Sequence, residues 1–458
     1  MIRKTKIIAT IGPATSSFSS ICKLIKSGVN IFRLNFSHGD YEFFKKVIQN
    51  IKNARKRLNK SVAIMQDLQG PKIRIGKLPQ EFTVKRGDEL IIKNLKNNLS
   101  EKEIYIDVKD LYKYIKKGQK ILINDGVVEL KVNEIKNKNI ICSVLAGGEI
   151  KSRKGVNLPN IKLPIPALTE KDKSDLRFGI KNGVDAVCLS FVRDASDLIL
   201  LNNYIKGKKP IIIAKIEKPE ALKQIDKILD LCDGIMVARG DLAVEAGYSV
   251  IPFAQKTMIE KANKKGKLVI VATQMLESMI NSAFPQRAEI TDIYNAVIDG
   301  ADILMLSAET SVGKYPFKTV SVMNKIILKA EKEKKNNCRL KEVIKTDKEF
   351  RNIISYCAAI SSCKLNKSII VVKTKSLNDV SFVSDYRPKN CIMAITDDNN
   401  LYNRLSFINS VYPVLSKDET VLNEAKKNFP DKKTLIYIDF YDKKNKNSKL
   451  IFYKIKNE

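Results

Sequence analysis

The sequence predicts an α/β protein built on a closed (β/α)8 TIM barrel, with a small β domain inserted into it and a further α/β domain after it. Short β-rich runs recur with helical patterns between them, the sequence sign of parallel βα units. Eight such runs can be counted, the number that closes a barrel. The rhythm breaks over 70–154 and changes again after about Ala330.

The eight runs are Lys6 to Gly12, Asn30 to Ser37, Val62 to Leu68, Ala186 to Phe191, Ile211 to Glu217, Gly234 to Ala238, Leu268 to Thr273 and Ile303 to Ser307. Helices are expected between them at Ser19 to Lys26, Tyr41 to Arg57, Lys171 to Asn182, Ala195 to Tyr204, Glu220 to Leu229, Ile251 to Lys264 and Ala288 to Val297, with Phe317 to Lys329 as the last. The inserted region reads as short strands with tight turns at Lys85-Arg86-Gly87-Asp88 and Asn124-Asp125-Gly126. In the last region strands are expected at Ser368 to Lys373, Ile392 to Thr396 and Leu435 to Phe440. The domain division that follows is 1–69 and 155–330 for the barrel, 70–154 for the insertion and 331–458 for the C-terminal domain. The charged lead-in Glu331 to Asn337 fits either a helix tail or a linker.

At 458 residues, with 44% hydrophobic and 29% charged residues, the chain reads as a soluble multidomain protein. Arg3, Lys4 and Lys6 lead directly into a strand pattern, so no signal peptide is expected, and no apolar run reaches the roughly 18 residues of a bilayer span. The eight scattered cysteines form no C-x-x-C pair, and reduced structural thiols in a cytoplasmic protein are expected. A formal charge of +32 attracts polyanions in general. Here the excess is diffuse lysine without a nucleic-acid module, Trp or interleaved aromatics, so neither nucleic acid nor membrane is expected as a partner. Its densest stretches, Lys329 to Lys335 and Lys443 to Lys449, read as solvated surface.

Active sites of such barrels lie at the carboxyl ends of the strands, where polar residues close apolar runs. Arg33, Asn35 and Ser37 lie two apart in the second run, which on a strand sends all three to one face. Lys215 and Glu217 share that spacing in the fifth run, Asp241 follows the sixth, Thr273 ends the seventh, and Ser307 with Glu309 closes the eighth. A lysine beside two carboxylates suits phosphoryl transfer, the acids holding Mg²⁺ and the ammonium neutralising the migrating group. A buried salt-bridge cluster is the alternative for any one pair.

Several segments resemble the pyruvate kinase family: Thr10-Ile11-Gly12-Pro13, Phe32-Arg33-Leu34-Asn35-Phe36-Ser37-His38-Gly39 and Gln66-Asp67-Leu68-Gln69-Gly70-Pro71-Lys72-Ile73-Arg74. Further matches follow in order at Lys154-Gly155-Val156-Asn157-Leu158-Pro159, Ala214-Lys215-Ile216-Glu217, Met236-Val237-Ala238-Arg239-Gly240-Asp241-Leu242, Ala272-Thr273-Gln274-Met275-Leu276 and Leu306-Ser307-Ala308-Glu309-Thr310. The resemblance implies a Mg²⁺-dependent (or Mn²⁺-dependent) transfer from phosphoenolpyruvate to ADP, giving pyruvate and ATP, in a cytoplasmic homotetramer whose inserted β-barrel is a lid. It implies Glu217 and Asp241 as metal ligands, Lys215 and Arg33 on the phosphoryl group, and Thr273 with the Gly240 and Asp241 amides on the substrate carboxylate. Arg74 and Lys154, with Thr10, Pro13 and His38 nearby, are implied for the nucleotide. Thr273 and Ser307 are the candidates for a proton relay, in preference to His38, the one histidine of the chain.

The sequence also departs from the family. Asn35, Ser37, Asp67 and the carbonyl of Leu68 match the positions that hold K⁺ in many members, but Lys72 stands where those members commonly carry Glu. A tethered ammonium in place of the free cation predicts that K⁺ is not required. In the C-terminal region Val383-Ser384-Asp385-Tyr386-Arg387-Pro388 and Val411-Tyr412-Pro413-Val414 echo the family, whereas Thr374-Lys375-Ser376-Leu377-Asn378 keeps only part of its phosphate cradle, so effector activation is not expected. Another Mg²⁺-dependent barrel enzyme acting on phosphoenolpyruvate or pyruvate leaves the nucleotide contacts without a purpose. A non-catalytic scaffold leaves Lys215, Glu217 and Asp241 without one.

Overall fold

The computed structural model describes residues 2–95, 99–205, 207, 210–333, 350–417, 421–440 and 448–455. The lead-in Glu331 to Asn337 beyond Glu333, the last two residues of Lys329 to Lys335 and most of Lys443 to Lys449 lie outside these residues.

Eight parallel strands close a barrel in sequence order: β1 (Lys6–Thr10), β2 (Ile31–Asn35), β3 (Ala63–Asp67), β4 (Ala186–Leu189), β5 (Ile211–Ile216), β6 (Gly234–Ala238), β7 (Leu268–Ala272) and β8 (Ile303–Leu306). Both faces of each strand are covered, which explains runs that are apolar almost throughout rather than alternating. Ile8, Ile31, Met65, Cys188, Ile213 and Ile270 fill the interior, while Ile7, Phe32, Ile64, Val187 and Val269 meet the surrounding helices. Seven of the observed strands stop one or two residues before the expected runs end, and β6 ends at Ala238 as expected. Ser37 therefore lies in a turn and does not share the strand face of Arg33 and Asn35.

The opposite, amino-terminal mouth is stitched by a repeating device. The residue just before an even strand bonds the main chain of the preceding odd strand: Ile7 N donates to Asn30 Oδ1 (3.1 Å), Ile64 N to Asp185 Oδ2 (2.8 Å), Ile212 N to Asp233 Oδ2 (2.8 Å) and Val269 N to Asp302 Oδ2 (3.0 Å). Arg55 pairs with Asp185 at 2.7 Å and Arg387 with Asp302 at 2.5 Å. These contacts fix strand register at the end devoted to stability.

Helix termini follow local chemistry. Asp40 caps Tyr41–Leu58 through Phe43 N (2.8 Å), and Thr169 with Asp172 forms a capping box for Glu170–Asn182. Asp172 also accepts from Gly70 N (3.1 Å), which ties the root of the insertion to that helix. The helix expected over Glu220 to Leu229 is broken at Gln224 into Pro219–Lys223 and Ile225–Leu231. The short helix Arg239–Ala246, which carries Asp241, was not among the expected helices.

The inserted region has its own apolar core, including Ile75, Leu90, Ile121, Leu130 and Val144, between a six-stranded sheet and a two-stranded ribbon (Phe82–Val84 with Gly148–Ile150). The strand Val156–Asn157 joins that sheet by pairing with Lys120–Ile123. Asn124, Asp125 and Gly126 all take positive φ, as the expected turn requires.

The last sheet has the order β11–β10–β9–β12–β13, from β9 (Ser368–Lys373), β10 (Ile392–Thr396), β11 (Val411–Leu415), β12 (Thr434–Asp439) and β13 (Lys449–Lys454). The edge strands β11, interrupted by Pro413, and the antiparallel β13 were not among the expected strands, although Leu450-Ile451-Phe452-Tyr453 in β13 is a β-rich run. Phe407, in the turn before β11, is fully buried among the residues that fill the barrel interior, so the C-terminal region plugs the amino-terminal mouth. Cys363 is disulfide-bonded, which corrects the expectation that all the cysteines are reduced.

Candidate active site

At the carboxyl-terminal mouth, Lys215 is the centre of a buried ionic cluster. Its Nζ lies 3.0 Å from Glu217 Oε1 and 3.3 Å from Asp67 Oδ1, and donates to Ser190 Oγ at 2.8 Å. Ser190 in turn donates to the Leu68 carbonyl (2.6 Å). Arg33 completes the cluster, with Nε 2.6 Å from Asp67 Oδ2 and Nη1 donating to Thr10 Oγ1 at 3.1 Å. Residues from β1, β2, β3 and β5 and from the turn after β4 thus converge.

The electrostatics follow from burial and spacing. Burial pulls the Lys215 ammonium down, but Asp67 and Glu217 together outweigh it and hold its pKa above the ordinary lysine value. Burial would raise the Asp67 carboxyl, yet Lys215 and Arg33 hold it below its usual range. Glu217 is different. Its Oε2 accepts from Phe191 N (2.8 Å) and Lys215 is beside it, but burial and the neighbouring charge of Asp241 push its pKa up. Two carboxylates that repel each other at the edge of a buried cluster form a hard-oxygen donor pair suited to a divalent cation. Lys72 Nζ lies 3.6 Å from Asp241 Oδ1.

The next part of the site is built around Thr273. Its Oγ1 accepts from Gly240 N (3.0 Å) and donates to the Ala272 carbonyl (2.6 Å), which joins the end of β7 to the first turn of helix Arg239–Ala246. Thr273 has φ 70° and Gln274 φ 54°, unusual for a β-branched residue above all. The strain is held by Arg239, whose Nε donates to Ala272 O (3.2 Å) and Nη2 to Thr273 O (2.5 Å). Asp292 grips Arg239 Nη1 with both oxygens at 2.8 and 2.6 Å. Buried Glu309 accepts from Leu276 N (3.2 Å) and Ser307 N (2.7 Å), fixing the turns after β7 and β8 relative to each other.

The sequence-derived residues are distributed unevenly. Thr10, Arg33, Asp67, Leu68, Lys215 and Glu217 meet in one cluster, Lys72 meets Asp241, and Thr273 meets Gly240. Asn35 Oδ1 accepts from Ser37 N at 3.2 Å. Arg74 and Lys154 are neighbours at the root of the insertion, where Ile75 N donates to Lys154 O (2.9 Å) and Arg74 Nη1 donates to Arg153 O (2.9 Å). His38 lies in the field of Arg74, Arg33 and Lys72; burial first, then these cations, lower its pKa. Pro13 sits in the turn after β1, where the next amide, Ala14 N, donates to Ser311 O (3.0 Å). Among the described residues no hydrogen bond joins Ser307 to Thr273 or Lys215.

Sequence reasoning missed Ser190, the Arg239–Asp292 clamp and the anchoring role of Glu309. Ser190 is a polar residue near the end of the fourth run, the same signal that marked the others. Asp292 lies within a helix and carries no such signal.

A parallel barrel with a lysine, two exchangeable carboxylates and an arginine at its carboxyl mouth, roofed by an inserted β unit, defines a barrel phosphotransferase. The family model described as "Pyruvate kinase, barrel domain" matches residues 2–320. The chain is 42% identical to "Pyruvate kinase 2" of Synechocystis sp., over 91% of this chain and 71% of that protein. It is 39% identical to a pyruvate kinase of Clostridium perfringens, over 93% of this chain and 92% of the relative. A crystal structure of a pyruvate kinase from Cryptosporidium parvum superposes with a TM-score of 0.92 at 36% identity, covering 98% of this chain and 96% of the other. The chain belongs to the pyruvate kinase family, and its activity is that of a phosphotransferase of this kind.

Proposed function

We propose that the Lys215 cluster carries the transfer of the phosphoryl group from phosphoenolpyruvate to ADP. The observation that supports it best is the convergence of Lys215, Arg33 and the Glu217–Asp241 pair at one barrel mouth. Glu217 and Asp241 hold Mg²⁺, or Mn²⁺ in its place; the bound ion supplies charge neutralisation at the substrate oxygens. Their hard oxygens and mutual repulsion fit that ion. Lys215 and Arg33 bind the phosphoryl oxygens and stabilise charge on the group in flight. The Gly240 and Asp241 amides, at the start of a helix steadied by Thr273, receive the substrate carboxylate. Thr273 and Ser307 border the enolate left after transfer and relay a proton to it through water. Arg74 and Lys154, with Thr10, Pro13 and His38, form the nucleotide side, under a lid of residues 70–154 whose closure excludes water.

The ammonium of Lys72 beside Asp241 supports activity without K⁺. Asn35, Ser37, Asp67 and Leu68 would otherwise surround that ion, but Asp67 already pairs with Arg33 and Lys215, and the Leu68 carbonyl already accepts from Ser190. In the C-terminal domain, from 331 onward, Thr374 Oγ1 is engaged with Ser376 O (2.7 Å) and Asp379 (3.0 Å), an arrangement poorly suited to an anionic effector. Exposed Tyr248, Phe253, Phe284 and Val312 support self-association, for which a homotetramer is the family expectation. Among the described residues no helix is long and apolar enough to cross a membrane. We place the enzyme in the cytoplasm, with no nucleic-acid or membrane partner.

The test is ATP formation from phosphoenolpyruvate and ADP with Mg²⁺, with and without K⁺, for the native protein and Lys215→Met. Turnover that needs Mg²⁺ but not K⁺ and collapses in the variant supports the assignment. Full activity in Lys215→Met refutes it.

A further inference from the structure

We propose that the cleft between the segment returning from the lid and the barrel turns after β4 and β5 binds a small amphipathic anion that carries an N–H or O–H donor. The cleft holds about 520 Å³, within the range of ligand pockets. One part of its wall is apolar, with Ile73, Leu158, Ile161, Ile165 and Phe191 in it, and the rest is polar or charged. None of Lys215, Glu217, Asp241 and Thr273 lines it, nor does any nucleotide-side residue; Lys72, paired with Asp241, is the one lining residue shared with the candidate active site.

The polar groups around the cleft fall into two classes. Some are satisfied internally: Arg193 bonds Asp197 (2.8 Å) and the Ile165 carbonyl (3.0 Å), and Glu245 Oε1 accepts from both Lys218 (2.7 Å) and Asn157 (2.8 Å). The others are not. Glu220 Oε2 is buried without a hydrogen-bond partner, although the charge of Arg193 acts on it. Lys162 and Lys223 are exposed among the lining residues, and among the described residues neither has an ion-pair partner. An unpaired buried acceptor is destabilising, and turning the Glu220 carboxylate toward a donor on the occupant relieves it. An apolar body for the walls, a donor for Glu220 and an anionic group for the two lysines together specify the occupant. With a single unsatisfied carboxylate against two free ammonium groups, a metal cation does not fit.

Ile73 enters the insertion and Leu158 leaves it, so an occupant bridges both lid roots to the barrel. The probe is 8-anilinonaphthalene-1-sulfonate, which combines an aryl body, one N–H and a sulfonate, titrated into the full-length protein by fluorescence and by equilibrium dialysis. One saturable site per chain is expected. The double charge reversal Lys162→Glu with Lys223→Glu, at exposed positions that leave the core intact, should weaken it about tenfold. Glu220→Ala should weaken it several-fold, and Leu163→Trp, which fills the cleft, should abolish it. Absence of saturable binding to the native protein, or an unchanged affinity in the charge-reversed and cleft-filled variants, overturns the proposal. No turnover is read, so the outcome is separate from the catalytic assignment.

Discussion

Lys215 reaches from the fifth barrel strand to Asp67 at the end of the third, 3.3 Å from Nζ to Oδ1, passing over Ser190 beyond the fourth. One ammonium therefore holds three consecutive strand ends in register while remaining at the mouth, where substrate phosphate would meet it. On the proposed role of Lys215, positioning and chemistry are carried by the same atom.

Replacing Lys215 by Met should lower kcat by roughly 10³-fold, the scale of losing a charge aimed at the transferring group. Removing only its support should do less. Ser190→Ala takes away the hydroxyl between Nζ and the Leu68 carbonyl, and should reduce kcat about tenfold with a stability loss of about 1 kcal/mol. Steady-state kinetics and urea melts of the two variants check this order.

Lys72→Glu should create a dependence on K⁺. The substitution removes the ammonium 3.6 Å from Asp241 and puts a carboxylate near it, so turnover without K⁺ should fall and added K⁺ should restore it. Assays with K⁺ against tetramethylammonium at constant ionic strength separate this from a salt effect. Equal activity in the two salts would remove Lys72 from the cation argument.

Lys6 gives a pH prediction away from the site. Its ammonium is buried at the start of β1, donating to the Val411 carbonyl (2.6 Å), and burial lowers its pKa from 10.5 to about 8. Between those values the unfolded chain binds more protons than the folded one, so stability rises with pH from about 8 to 10.5, and the penalty is fully present below pH 8. Lys6→Met should therefore stabilise the protein at pH 7 by about 2 kcal/mol after the lost hydrogen bond. The gain should fade as pH approaches 10.5, as thermal melts across that range would register.

Phe407→Ala should cost about 3–5 kcal/mol by leaving a cavity where the C-terminal region plugs the barrel. The plug lies at the mouth opposite to catalysis, so kcat at 25 °C should stay within a few-fold of the native value. Denaturant unfolding and initial rates measured on one preparation test both parts.

The barrel was legible because each of its strands is buried on both faces and so reads as an uninterrupted apolar run. The polar residues closing those runs marked Arg33, Lys215, Glu217 and Thr273 directly. Ser37 was misplaced because period-2 spacing continues beyond the point at which the ladder to β3 ends, at Asn35. The helix carrying Asp241 escaped because Arg239-Gly240-Asp241 lacks a capping side chain and starts directly from β6. Asp292 and Phe407 were out of reach for another reason. Their roles rest on contacts with residues distant in sequence, which no local pattern encodes.

The two mouths of the barrel both gather carboxylates, yet they differ in how readily those groups can change partners. At the lower mouth Asp185 and Asp302 are locked by main-chain N–H groups and rigid guanidinium forks. At the upper mouth Glu217 and Asp241 face ammonium groups on flexible stems. A divalent ion arriving from solvent can displace a lysine but not that lattice of arginine and amide. If Glu217 and Asp241 hold the metal as proposed, the barrel would sort ions by the exchangeability of its acids, and the carboxylates at the opposite end would not divert the metal from them.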